Sequence, residues 1–109
     1  MRTRTGSIAV AVGVIVSLPA GSAFARTTVS IKGLEFSRAT ARVDPGELVV
    51  WKDLDGYVTH SVTSRGAERF ESSPYLQKGD AHRVRFSRSG TYRYVCRVHD
   101  FMRARIVVD

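Results

Sequence analysis

The sequence predicts an all-β fold, a Greek-key β-sandwich of about seven to eight short strands. From Arg26 onward, short runs of β-forming residues alternate with turn residues, and no run shows a helical period. In the last three runs apolar and charged residues alternate, as in Tyr92-Arg93-Tyr94. Because such alternation gives a strand one buried and one solvated face, it favours antiparallel sheets packed over a core.

The predicted strands follow one another with short turns between them. Their ranges are 27–35, 39–43, 48–51, 58–63, 82–86, 91–96 and 104–108. The turns are marked by Gly, Pro, Asp and Ser, at 44–46, 53–56, 78–80 and 89–90. The stretch 64–77 has no regular alternation and is predicted to be irregular.

The start of the chain differs in character from the rest. Two early arginines precede an apolar stretch at 8–18, and the small-x-small motif Ala-Phe-Ala ends at Ala25. This pattern is typical of a cleaved export signal, and the apolar stretch is shorter than the ~20 residues that a spanning helix needs. We therefore expect 1–25 to be a signal peptide and 26–109 a single periplasmic or secreted domain, without stable membrane insertion after cleavage. An uncleaved anchor is the alternative.

The chain is strongly basic, with 17 Lys and Arg against 10 Asp and Glu and a formal net charge of +7. The arginines are scattered, and no helix-turn-helix, zinc-finger or interleaved aromatic and basic pattern is visible, so nucleic-acid binding is not predicted. A charge of this size can steer an acidic partner during encounter. The alternative is a solvated surface that keeps the protein soluble.

Cys96 is the chain's one cysteine, so no internal disulfide can form. In an oxidising compartment a free thiol tends to oxidise or to form dimers unless it is buried or holds a metal. By the alternation of its strand, Cys96 faces inward at the strand's end. A buried, inert thiol and a metal thiolate are the two interpretations.

Cys96, His99 and Met102 are separated by two residues each. A thiolate, an imidazole and a thioether together suit copper, and blue-copper sites use two His and one Cys in a plane with a weak axial Met. Zinc is the main competitor, but structural zinc usually takes more than one cysteine and seldom methionine. Alone, Met102 would be core filler, but the chain's other methionine is Met1.

A second histidine ligand must come from His60 or His82, the two other histidines of the chain. His60 shares strand parity with the apolar Val58 and Val62, which predicts an inward side chain. His82 begins a strand beside a polar turn and is predicted to be an ordinary histidine at the rim. The predicted ligands of one type 1 copper ion are therefore His60, Cys96, His99 and Met102.

These motifs resemble the cupredoxin family, most closely its amicyanin and plastocyanin-like small bacterial members. The resemblance runs over nearly all of the predicted domain, through the segments 29–31, 44–53, 60–63 and 90–96, and the short ligand loop is similar to that of amicyanin. Relatives with this loop usually carry proline next to the second histidine, where this chain has Asp100. The resemblance implies that His99 is the electron's route at the surface and that Phe101 belongs to the apolar patch around it.

The predicted function is that of an exported mononuclear blue-copper protein, which carries single electrons between redox partners by cycling Cu(II)/Cu(I). Four protein ligands leave no open position for a substrate, so no enzyme activity is expected. We expect a monomer with an acidic cytochrome or dehydrogenase as partner, attracted by Arg97 and Arg103. The alternative is a copper-binding protein for copper storage, delivery or resistance, and the third interpretation is a β-sandwich binding module without a metal.

Asp100 places a carboxylate next to His99 in the sequence. A carboxylate close to an imidazole favours the imidazolium, so we expect the reduction potential to depend on pH if the two side chains meet.

Overall fold

A computed structural model describes residues 25–109, so the predicted signal peptide lies outside the described residues except for Ala25. The described part has eight strands and no helix, which confirms the all-β prediction. The strands are β1 (Arg26–Lys32), β2 (Glu35–Phe36), β3 (Thr40–Val43), β4 (Glu47–Asp53), β5 (Thr63–Arg65), β6 (Ala81–Phe86), β7 (Gly90–Val95) and β8 (Arg103–Val108). Within this stretch, no helix of the length and apolar character needed to cross a membrane is found.

The strands form two four-stranded sheets, with the orders β2-β1-β4-β6 and β3-β8-β7-β5. Four of the six strand pairs are antiparallel, as the alternation favours, whereas β1 runs parallel to β4 and β3 runs parallel to β8. Parallel neighbours cannot be joined by a hairpin and need a crossover. Between β1 and β4 the chain passes through β3 in the opposite sheet, which supplies that crossover.

The core lies between the two sheets and is built from the inward residues of both. Trp51 is fully buried at its centre, 5.6 Å from Phe70 and 5.3 Å from Tyr94 between ring centroids. On β7 the predicted alternation is confirmed, because Tyr92 and Tyr94 are buried while Arg93 is exposed. Aromatic contacts of this kind stabilise the fold by more than the burial of their apolar area alone.

The predicted strand over 58–63 is wrong for most of its length, since β5 begins only at Thr63. Upstream of it, His60 pairs with Leu76 in an isolated bridge, with backbone N–H···O distances of 3.1 and 2.7 Å. The Val62 N–H donates to Ser73 Oγ at 2.8 Å. The irregular segment after β5 therefore takes the hydrogen bonds that a neighbouring strand would have taken, and it fixes the backbone at His60.

The predicted strand over 27–35 is interrupted by a two-residue turn at Gly33 and Leu34. Their φ angles are 64° and 61°, and the flanking Lys32 and Glu35 pair across the hairpin. Both angles fit the type I′ turn that matches the twist of a hairpin. Leucine in this left-handed region costs roughly 1–2 kcal/mol, so the turn needs support from elsewhere in the fold.

Candidate metal centre

Cys96 follows the last residue of β7 and is fully buried, as its strand parity predicted. The segment after it is a closed loop, because the Cys96 N–H donates to the Met102 carbonyl at 3.1 Å and the Met102 N–H donates to the His99 carbonyl at 2.8 Å. β8 begins at Arg103, directly after this loop. The loop is thus short and tied at both ends, and it turns His99 back towards Cys96.

The structure brings together His60, Cys96 and His99. Cys96 Sγ lies 3.7 Å from Nδ1 of His60 and 3.7 Å from Nδ1 of His99, and the three donor atoms all lie within 4.8 Å of one another. A sulfur–nitrogen separation of this size is what a trigonal arrangement with metal–ligand bonds of roughly 2.0–2.3 Å would give. One thiolate and two imidazoles therefore fit a soft-ligand site of the copper type.

Met102 is buried in the same core, 3% exposed, at the end of the loop that carries Cys96 and His99. His82 lies elsewhere, on β6, with its Nε2 atom 2.8 Å from the Glu71 carbonyl and its ring 5.9 Å from that of Trp51. The cluster of donor atoms in the described residues does not include it. The role of Met102 as a ligand therefore stays a prediction, and the position of His82 outside the cluster agrees with its interpretation as a histidine that is not a ligand.

His60 makes a second contact, on the ring edge that faces away from Cys96. Its Nε2 atom lies 2.8 Å from Asp55 Oδ2. Because an ionised carboxylate can only accept a hydrogen bond, Nε2 carries a proton and donates it to Asp55, which leaves Nδ1, the atom nearer Cys96, as the nitrogen that would bind a metal. A carboxylate behind a histidine is the arrangement that orients metal-binding imidazoles in many proteins.

Asp55 is itself held by the β1–β2 turn. Its Oδ1 atom accepts the Gly33 N–H at 2.7 Å and its Oδ2 atom accepts the Leu34 N–H at 3.1 Å. Burial alone would raise the pKa of Asp55, but the hydrogen bonds from Gly33, Leu34 and His60 lower it overall. The carboxylate is therefore ionised at neutral pH, and it supports both the left-handed turn and the orientation of His60.

Sequence reasoning interprets Asp55 only as part of a turn. No regular spacing connects it to His60, because the segment between them is a loop rather than a strand or a helix. The one signal is a carboxylate five positions before a candidate ligand, and many carboxylates in loops share that feature. The role of Asp55 becomes visible only when the hairpin of β1 and β2 is in place beside it.

Asp53 is a second buried carboxylate in this region, fully buried at the end of β4. Its Oδ1 atom accepts the Asp55 N–H at 2.9 Å, and its Oδ2 atom has no hydrogen-bond partner among the described residues. Burial raises the pKa of Asp53 despite that hydrogen bond. Asp53 thus fixes the backbone that carries Asp55. Its own carboxylate is desolvated by burial, which disfavours the charged form.

Ser61 connects the His60 segment with the ligand loop. Its Oγ atom accepts the Arg97 N–H at 2.9 Å, and it also lies 2.8 Å from Thr63 Oγ1. Ser61 is buried, with 1% of its surface exposed. The two segments that supply nitrogen and sulfur donors are therefore joined directly next to the donors themselves.

Comparison with known proteins agrees with this geometry. The family of copper-binding proteins described as plastocyanin/azurin matches the chain over residues 23–109. The chain belongs to this family. It is a copper-binding cupredoxin, and its cofactor is copper.

Amicyanins are among the similar proteins. Amicyanin-alpha of Methylorubrum extorquens is 31% identical over 93 residues, which cover 84% of this chain and 75% of that protein. Amicyanin of Paracoccus denitrificans is 28% identical over 102 residues, covering 85% and 78%. A solved structure of an amicyanin variant in its Cu(I) form superimposes with a TM-score of 0.71 at 25% identity, covering 81% of this chain and 90% of that one. The resemblance that the sequence motifs indicate is thereby confirmed.

In this cupredoxin His99 is surrounded by exposed side chains. Its ring lies 5.9 Å from that of Phe101, and Phe101 and Val98 are 64% and 47% exposed. Arg97 lies over the ring of Tyr75, 5.5 Å from its centroid. Of the three clustered donor residues, His99 is the one that is only partly buried.

Asp100 forms no ion pair with His99 among the described residues, whose ion pairs are Arg42–Asp109 and Asp55–His60. The expected pH dependence of the potential from Asp100 stays a prediction. The carboxylate of Asp100 would have to influence the potential without forming an ion pair with His99.

Proposed function

We propose that this cupredoxin is an exported electron carrier in which His60, Cys96, His99 and Met102 hold a single type 1 copper ion. The single observation that carries the proposal is the assembly of one sulfur and two nitrogen donors within 4.8 Å of one another. When bound there, copper would supply one-electron chemistry by cycling Cu(II)/Cu(I).

The surroundings of the donors favour electron transfer over catalysis. His60 and Cys96 are fully buried, and their segments are fixed through Asp55 and Ser61. Ligands that are fixed before the metal binds need little rearrangement between two oxidation states. With Met102 as a fourth protein ligand, no position is left for a substrate, so an enzyme of the open-site type is disfavoured.

We assign the electron's route to His99. Its Nδ1 atom faces Cys96, while Val98 and Phe101 expose apolar surface on either side of it. A partner seated on this surface would approach the donors through one imidazole ring. Redox partners commonly use small interfaces of this kind, since the complex must also dissociate quickly.

The proposed partner is an acidic redox protein, such as a cytochrome or a dehydrogenase, that meets this chain as a monomer. Arg97 and Arg103 lie just outside the ligands and are both exposed. Opposite charges across an interface mainly raise the association rate, and they do so most at low salt. Reversing both charges should slow electron transfer at low salt, whereas an unchanged rate would reject the role of these two arginines.

We further propose that residues 1–25 direct export and that 26–109 form the mature domain in the periplasm or outside the cell. Support comes from β1, which begins at Arg26 next to the expected cleavage position. N-terminal sequencing of the protein from a periplasmic fraction should begin at Arg26. Recovery of an intact N-terminus in the membrane fraction would favour the uncleaved anchor instead.

The decisive experiment is an absorption spectrum of the purified domain with Cu(II). An intense thiolate-to-copper band in the red is expected, and Cys96→Ser should abolish it while His82→Ala leaves it unchanged. A colourless protein would contradict the assignment of the site. Rapid electron self-exchange would support a carrier, whereas ready transfer of copper to an apo-protein would support storage or delivery.

A further inference from the structure

A row of arginines crosses the outer face of one sheet, away from the copper ligands in the core. In the register of the sheet, Arg65 of β5 is directly opposite Arg93 of β7, and Arg93 is directly opposite Arg105 of β8. All three are exposed. Residues directly opposite in neighbouring strands have their Cβ atoms about 4.5–5.5 Å apart, so the three side chains emerge side by side.

Arg103 extends this row towards the ligand loop. It lies two positions before Arg105 on β8, so its side chain is on the same face, and it directly follows Met102. Arg65, Arg93, Arg103 and Arg105 line one groove, which is also lined by Asp100 of the ligand loop. We call these four arginines the arginine face.

None of the four has an ion-pair partner among the described residues, whose ion pairs involve Arg42 and His60 as the basic partners. Their hydrogen bonds go to uncharged oxygens. Arg105 Nε donates to Thr40 Oγ1 at 3.0 Å, and Arg103 Nε donates to the Asp100 carbonyl at 3.0 Å. A guanidinium has five N–H donors, so most donors of this surface remain available to a ligand.

The arrangement is unfavourable for the fold on its own. Like charges directly opposite each other in a sheet destabilise the pairing of the strands. The guanidinium group presents a planar fork that binds carboxylates through two parallel hydrogen bonds, which a lysine row could not do. The repulsion is relieved when an anionic surface binds to the row.

We propose that the arginine face docks a carboxylate-rich surface of the redox partner, a role that rests on the proposed function as an electron carrier. Continuity with the ligand loop supports this occupant, because two residues that line the groove, Asp100 and Arg103, directly follow His99 and Met102 in the chain. A partner bound along the groove would therefore have one side close to His99, the proposed route of the electron. The groove offers no exposed aromatic ring for base stacking, since its Tyr94 is buried, and this disfavours a single-stranded nucleic acid.

The test uses the copper-loaded protein and a decamer of glutamate as the carboxylate-bearing probe. Binding is measured by calorimetry at low ionic strength for the wild type and for Arg93→Gln/Arg105→Gln. The matched control is Lys52→Gln/Arg83→Gln, which removes the same charge from exposed positions of the opposite sheet. We expect the first variant to lose roughly fivefold or more in affinity and the control less than about twofold.

The outcomes separate the possible explanations. Equal losses in both variants would overturn the proposal, because only net charge would then matter. Absence of any binding of the decamer would also overturn it. Tighter binding of phosphatidylglycerol vesicles or of a DNA duplex through the same arginines would also overturn it. If the double variant fails to fold, Arg65→Gln on the edge strand serves in its place. The red absorption band is recorded on each sample, so a colourless protein contradicts the copper site and a failed titration of a blue protein contradicts the arginine face.

Discussion

The carboxylate of Asp55 lies 2.8 Å from Nε2 of His60, on the opposite side of the ring from Cys96. The same carboxylate accepts two backbone N–H groups from the turn at Gly33 and Leu34. One side chain therefore links a strained surface hairpin to a predicted copper ligand. The orientation of His60 depends on a turn that lies in a different strand pair, and this dependence can be tested directly.

Replacing Asp55→Asn leaves one acceptor oxygen where two now serve three donors. We expect copper affinity to fall by about 10–100-fold, because the imidazole loses the group that orients it. The copper-free protein should lose roughly 1.5–3 kcal/mol, as is typical when a charged hydrogen bond is removed. Affinity is measured by competition with a chelator and stability by urea denaturation.

The matched control is Asp100→Asn, which changes a carboxylate next to His99 that has no ion pair with it in the described chain. Its copper affinity and stability should stay close to the wild type. Equal effects of the two substitutions would mean that overall charge, and not the contact with His60, is responsible. The pH dependence of the potential in the same variant tests the expectation for Asp100.

Much of the fold follows from local patterns. The alternation in 91–96 and 104–108 predicts which residues of β7 and β8 are buried, and the structure confirms it for Tyr92, Tyr94 and Ile106. The pattern cannot show which strands become neighbours, since parallel pairing of β1 with β4 depends on the crossover of the whole chain. The pattern also predicts a strand at the His60 segment, where the structure has only an isolated bridge to Leu76. The apolar residues around His60 alternate there as they would in a strand.

The candidate site divides in the same way. His60, Cys96, His99 and Met102 can be proposed as ligands from the sequence because their chemistry is unusual and three of them lie in one short loop. The supporting contact of Asp55 cannot be named, since Asp55 is an ordinary loop residue that meets the site only through a tertiary contact. A ligand set is a property of residue types, whereas the groups that orient it are a property of the packing.

Replacing Met102→Leu should raise the reduction potential, because a weak thioether donor to Cu(II) is lost while the thiolate and both imidazoles stay. The red absorption band should persist. Stability without copper should change by less than about 1.5 kcal/mol, since the two side chains have similar volumes. Leu76→Met, a similar exchange at a buried position that pairs with His60, should leave the potential unchanged. A shift of equal size in both variants would argue against Met102 as a ligand.

Removing copper should lower the stability of the folded domain markedly, because a ligand that binds only the folded state stabilises it by mass action. At a free copper concentration of about 100 times the dissociation constant, the loss is about 2.7 kcal/mol, or roughly 10–20 °C in Tm for a domain of this size. Scanning calorimetry with and without Cu(I) measures it. In Cys96→Ser the difference should shrink strongly, and a Tm that copper does not change in the wild type would contradict binding at this site.

The raised pKa of Asp53 leads us to expect that the free energy of unfolding depends on pH in a way that can be separated from the effect of the other carboxylates. Burial raises its pKa in the folded state, so the folded protein binds this proton more tightly than the unfolded chain does. Its contribution is therefore fully present below the unfolded pKa of about 3.9 and is lost as pH rises through the folded pKa. Asp53→Asn has no such titration and keeps an oxygen that can accept the Asp55 N–H.

The stability of the copper-free Asn variant relative to the wild type should therefore increase from about pH 4 to pH 7, measured by urea denaturation at each pH. The comparison cancels the titration of the remaining groups, which both proteins share. Glu35→Gln, at an exposed carboxylate of β2 that is not among the groups acting on Asp53, serves as control and should show no such rise. A difference between the Asp53 variant and the wild type that stays constant over this range would show that Asp53 is as readily ionised in the folded protein as in the unfolded chain.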